Sequence, residues 1–199
     1  MGVNRKSAPK VKGGRVQKKN NWALTPTYYN SDQPLPVIDR QRPGRGFQHL
    51  LKRRDIEDFI AILPHWDELS VGLNAIVLAP GGDAMGWHEP GVVHVCAWEE
   101  ELWWYDSDPA FMKDHREVLG LLGVEVEKRG GRLITKWTVG QARAFQLVHV
   151  LLHEFGHHHD RMTTRWKEDV APRGEGFAEE YARRYESRIW TDYIQRFDI

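Results

Sequence analysis

His153 and His157 stand four residues apart in the segment HVLLHEFGHHHDRM, His149 to Met162. On an α-helix that spacing turns the chain by about 40° and advances it one turn, so both imidazoles can reach one metal ion. Glu154 follows the first histidine and projects to the flank of that ion, within reach of a bound water but not of the ion itself. A general base needs that position. The chemistry is metal-assisted hydrolysis. Zinc lowers the pKa of its water from 15.7 to about 7 and polarises a carbonyl, while the carboxylate takes the released proton.

A catalytic zinc has three protein ligands plus water, so a third ligand is required. Downstream runs GEGFAEEYARRY, Gly174 to Tyr185. Laid on a helix, Ala178, Tyr181, Ala182, Tyr185, Ile189 and Tyr193 form one apolar stripe, with Glu175 at its edge. A carboxylate on that packed side is costly unless a cation neutralises it, which favours Glu175 as the ligand. Glu179, one turn further along, is suited to accept the free N–H of a ligating histidine. The two glutamates can exchange these roles. Asp160, three residues past His157, returns to the metal side. It is read, in order of preference, as a carboxylate behind a ligand, a helix-end contact or a rival third ligand.

The neighbouring histidines are expected to stand aside. His149 shares the metal side but lies about 12 Å along the axis from His157, too far for one ion. His158 and His159 point elsewhere and are expected at the surface. Cys96, in VVHVCAW, reads as a buried strand residue. Gly156 costs about 1 kcal/mol relative to alanine inside a helix and marks close approach of another backbone, expected to be a sheet strand.

HEFGH followed by a helix bearing E-x-F-A-E resembles the gluzincin group of zincin metallopeptidases. His157 and Glu175 are separated by 17 residues, similar to several gluzincins, and Glu175-x-x-x-Glu179 resembles their paired acids. The EGFAEEYA segment is also similar to small bacterial regulatory peptidases, and HEFGHHHD to toxin-type zincins. The resemblance is sharp over residues 149–185. It implies His153, His157 and Glu175 as zinc ligands, Glu154 as base and Glu179 as the partner behind a ligand. Gluzincins often place a Tyr, His or Arg across the zinc to stabilise the oxyanion. No position between Asp160 and Glu175 stands out for that role, and His88, His94, Arg173 and Tyr181 are the candidates.

The elements that must position these groups are legible in outline. Arg54 to Leu63 reads as a helix stopped by Pro64, and Leu73 to Leu78 as a strand ended by Pro80-Gly81-Gly82. Met85 to His88 and Val92 to Trp98 flank Glu89-Pro90-Gly91 as a hairpin. Substrate is expected to add to the sheet edge at the strand near Val92 to Trp98. Asp108-Pro109 starts a helix running to Leu122-Gly123, and Val124 to Lys128 with Arg132 to Trp137 forms a second hairpin. Trp103, Trp104 and Tyr105 read as packing residues. Two long helices, about 139–161 and 174–197, close the chain. The expected class is α+β and zincin-like, with a small mixed or antiparallel sheet packed on the HEFGH helix, followed by the glutamate-bearing helix.

Residues 1–20 hold seven bases and no acid, leaving 21 bases against 28 acids elsewhere in a chain of net charge zero. They are expected to form a disordered basic tail. Residues 21–46, with Pro26, Pro34, Pro36 and Pro43, are expected as an extended arm without regular structure, and 47–199 as the zincin-like domain. A hydrophobic fraction of 41% with nine tryptophans excludes a wholly disordered chain, and no apolar run is long enough to span a bilayer. With one cysteine there is no intramolecular disulfide and no thiolate zinc cluster, and no secretory leader is read at the N-terminus; a reducing cytoplasm is expected. The leading expectation is a zinc-dependent peptidase acting on a peptide or protein. The alternative is a non-catalytic regulatory protein that keeps the zinc site and touches nucleic acid or another acidic surface through residues 1–20.

Overall fold

The computed structural model describes residues 11–12, 15–16, 26–104, 107–164 and 171–197. Its strands are β1 (Val11–Lys12), β2 (Arg15–Val16), β3 (Val37–Arg40), β4 (Phe47–Gln48), β5 (Ala75–Ala79), β6 (Gly86–Glu89), β7 (Val92–Cys96), β8 (Trp98–Glu99), β9 (Trp103–Trp104), β10 (Glu125–Arg129) and β11 (Arg132–Lys136). The helices are α1 (Arg53–Ile60), α2 (Trp66–Leu69), α3 (Pro109–Asp114), α4 (Arg116–Leu121), α5 (Val139–Phe145), α6 (Leu152–Thr163) and α7 (Gly174–Phe197). A π-helical segment, Gln146–Leu151, joins α5 to α6. The class is α+β, with small sheets.

The main sheet has the order β3-β5-β7-β6. It is mixed: β3, β5 and β7 run parallel, and β6 returns antiparallel along β7 as the expected hairpin. Every residue of β5 (AIVLA) and β7 (VVHVC) is buried, as strands covered on both faces must be. Ile76, Leu78, Val93 and Val95 face the main core with Phe155, Leu151 and Leu152 of the helical layer. Ala75, Val77, Ala79 and Val92 face the other way, against Tyr28. Alternation along β6 follows from its register: Gly86 and His88, opposite Val95 and Val93, face the helices, whereas Trp87, opposite His94, faces away.

Two expectations about this sheet change. Residues 37–40 of the supposed arm form β3, whose pairing with β5 makes it part of the sheet. The strand near Val92 is no edge either. β7 lies between β5 and β6, so among the described residues the outer edge beside α6 belongs to β6.

Local chemistry explains the helix starts. Thr138 caps α5 reciprocally with Gln141, and the Asp108 carboxylate accepts the Ala110 N–H at the start of α3. The helix expected from there breaks at His115 into α3 and α4. The second hairpin forms as β10–β11 and continues to β9. Trp104 does pack, stacked on Trp98 with ring centroids 5.0 Å apart, while Trp103 is exposed. Tyr105 lies outside the described residues. So does most of the basic tail; only β1 and β2 within it are described, paired antiparallel. Among the described residues, no helix is long and apolar enough to cross a membrane.

Candidate metal centre

α6 carries the HEFGH segment under β6, and α7 crosses it closely. Gly156 makes that crossing possible. A β-carbon there would stand 2.8 Å from Ala178 Cα. The close backbone is therefore that of α7, not the sheet strand expected from the sequence. Ahead of α7, the fully buried Asp160 accepts the Arg173 backbone N–H at 2.7 Å and the Arg173 Nε–H at 2.5 Å. Asp160 is thus a helix-end contact rather than the carboxylate behind a ligand that ranked first, because Arg173 claims both its oxygens. α7 then begins at Gly174, whose φ of +68° lies in the left-handed region that glycine adopts without strain.

This arrangement brings Glu175 to the two histidines. Its Oε2 is 3.0 Å from His153 Nε2 and 3.4 Å from His157 Nε2, and the two Nε2 atoms are 3.1 Å apart. The triangle is close to one face of a tetrahedral site: bonds of about 2.0–2.1 Å place ligand atoms about 3.3–3.4 Å apart. The burial expected of Glu175 does not hold. Its side chain is 83% exposed against 5% for His157, because the first turn of α7 precedes the first covered position, Ala178. The carboxylate still reaches inward, which leaves the outer side of the triangle open to solvent.

Glu179 stands where the sequence suggests. Its Oε2 accepts from His153 Nδ1 at 3.3 Å, which turns the His153 Nε2 lone pair toward Glu175 and His157. Burial alone would raise the Glu179 carboxyl, but the His153 hydrogen bond and the charges of His149, His115 and Arg183 hold it down to about 2. With both imidazoles neutral, three acceptor atoms would face one point. A proton on one Nε2 would satisfy that convergence in part, and a divalent ion would satisfy all three. His157 Nδ1 is buried without a hydrogen-bond partner among the described residues.

Glu154 is buried beside the triangle. Burial raises its carboxyl to about 8, against the opposing charge of His153. Its Oε1 lies against Gly86, where a β-carbon would be 2.7 Å away. Its Oε2 is 3.8 Å from His88 Nδ1. A carboxyl that exchanges its proton near neutrality suits both taking and returning a proton.

Of the four residues considered for the oxyanion, only His88 comes to the site. Its ring stacks on His157 with centroids 4.5 Å apart and planes 11° from parallel. Burial, reinforced by the His157 charge, pulls it down to about 4. His94 is on the opposite face of the sheet, stacked on Trp87 and 3.3 Å from the Tyr29 hydroxyl. Arg173 is held by Asp160 and lies over Phe177, and Tyr181 packs between His159 and Tyr185.

The flanking histidines depart from the surface role expected for them. His158 is buried, with Nε2 3.0 Å from the Val71 carbonyl, because the α2–β5 loop covers that side of α6. His159 is half-buried against Phe177 and Tyr181. His149 is buried on a carboxylate, Glu186, that the sequence did not single out. Cys96 is a buried strand residue, as expected. Sequence reasoning also missed Gly86; its only signal was a glycine one pleat before His88.

No protein-family model, curated protein or solved structure matches this chain. The likeness to gluzincins stands on the motif residues themselves.

Proposed function

We propose that this chain is a zinc-dependent peptidase of the gluzincin type with a zincin-like fold. His153, His157 and Glu175 would hold the ion, Glu154 would act as base, and Glu179 would fix His153. The ligand triangle of 3.0, 3.1 and 3.4 Å carries the reading, because two successive helices, α6 and α7, bring its three corners together. A bound zinc ion would supply an acidified water and a Lewis acid for the scissile carbonyl. Glu154 takes the proton from the attacking water and passes it to the leaving amine. His88, held neutral beside Glu154, would donate to the developing oxyanion. A peptide substrate would lie extended along the free edge of β6, between Gly86 and His88, with its scissile bond over Glu154.

Metal analysis of purified wild type beside His153→Ala and Glu175→Ala, with hydrolysis assayed for wild type and Glu154→Gln, tests the reading. Wild type should carry one more equivalent of zinc than either ligand variant, and Glu154→Gln should keep the wild-type zinc content without hydrolysing. A wild type that takes up no added zinc at the triangle, or a fully active Glu154→Gln, overturns it.

A further inference from the structure

Behind the candidate centre, a second set of metal-ligating groups converges. His115 sits at the corner between α3 and α4, and His149 lies in the π-helical segment, a local form common at functional sites. Their rings are 4.7 Å apart at 77°. One nitrogen of each, with one oxygen of Glu179, falls within 4.8 Å of the others.

The outer nitrogens decide what the inner ones offer. His115 Nδ1 donates to the Phe111 carbonyl at 2.9 Å, and His149 Nδ1 donates to Glu186 Oε1 at 2.6 Å. In its neutral form each imidazole would thereby offer a bare Nε2, and His149 Nε2 lies 3.6 Å from Glu179 Oε2. A backbone carbonyl behind one ligating histidine and a carboxylate behind the other is the arrangement that orients imidazoles toward a metal. The other Glu179 oxygen is buried and pairs with the Arg183 guanidinium at 3.2 Å. A proton on His149 would answer Glu179 but leave His115 Nε2 unused; a divalent ion uses all three groups.

We propose that His115 Nε2, His149 Nε2 and Glu179 form a second metal site for a borderline divalent transition ion such as Zn2+ or Co2+, distinct from the His153–His157–Glu175 triangle. Imidazole ligands select such ions over Mg2+ or Ca2+. A cavity of about 170 Å³, bordered by His115, His149, His153 and Glu154, gives the ion a route of approach. Glu179 Oε2 also holds His153 Nδ1 at 3.3 Å, so the two sites share a carboxylate and loading either changes the affinity of the other.

The test is titration of the metal-free, full-length chain with Co2+ alone, followed by its visible absorption and by bound metal after dialysis. Wild type should bind two equivalents. The double variant His157→Ala/Glu175→Ala, which leaves Glu179 in place, should bind one; His115→Gln should also bind one, at the outer site. Glu186→Gln, nearly isosteric, should weaken the inner equivalent about 10–100-fold, and far-UV circular dichroism confirms that each variant folds. A wild type that binds one equivalent, with none in the double variant, overturns the proposal. Two equivalents in folded His115→Gln overturn it as well. If the inner equivalent binds while the outer does not, this site stands and the peptidase reading fails.

Discussion

Gly156 on α6 and Ala178 on α7 pack so closely that a β-carbon on the glycine would stand 2.8 Å from the Ala178 Cα and 3.1 Å from its carbonyl oxygen. That contact sets how far Glu175, three residues before Ala178, stands from His153 and His157. Gly156→Ala should force the helices apart, because backbone cannot yield as a flexible side chain can. Its expected cost is about 1–3 kcal/mol, with weakened zinc uptake. Urea unfolding and zinc titration should move together; a variant as stable and as tightly metal-binding as wild type contradicts the packing account.

On the strand side, Gly86→Ala would place a β-carbon 2.7 Å from Glu154 Oε1 and 2.8 Å from the His94 carbonyl. The proposed ligands on α6 and α7 are untouched. Zinc content should persist while hydrolysis falls about 100-fold, as misplacing a reacting group by about 1 Å can do. Unchanged turnover would mean that Glu154 is not confined by β6.

Asp160 binds no ligand of the triangle, yet it ties down the start of α7 through Arg173. Asp160→Ala should lose about 1.5–3 kcal/mol for charged hydrogen bonds, and zinc affinity should drop because Glu175 is no longer held. Asp160→Asn, which can still accept from the Arg173 N–H, should recover part of both. Equal losses in the two variants would count against this role.

Cys96 is buried, and burial, with the nearby Glu154 charge, pushes its thiol from 9.0 up to about 12. The unfolded chain releases this proton first as pH rises, so the folded state holds more protons between those values and stability falls across that window. The thiol contribution is complete below pH 9 and disappears toward pH 12. Thiol reagents at pH 8 should label Cys96 only when denaturant opens the chain; rapid labelling of the native protein would refute its burial.

Chelation supplies a further check. An ion bound only by the folded state at about 100 times its dissociation constant adds about 2.7 kcal/mol. Stripping zinc should therefore lower the melting temperature of wild type by more than that of His153→Ala, which keeps only the inner site.

Local rules carried much of this protein. The four-residue spacing in HEFGH, the stripe that makes α7 a helix, the caps at Thr138 and Asp108, and the hairpin through Gly91 all act over a few residues, so the sequence alone determined them. It also singled out His153, His157, Glu175 and Glu179 through helical periodicity, although the burial expected of Glu175 is absent. What it could not determine was which backbone fills the space beside Gly156, which strand forms the free edge, and where His88, His149 and His158 end up. Those depend on contacts between segments tens of residues apart: the α2–β5 loop over His158, β6 beside His157, and the π-helical turn that sets His149 on Glu186. The tertiary structure alone decided them, because helical periodicity says which side of a helix a residue occupies and not what will be packed against it.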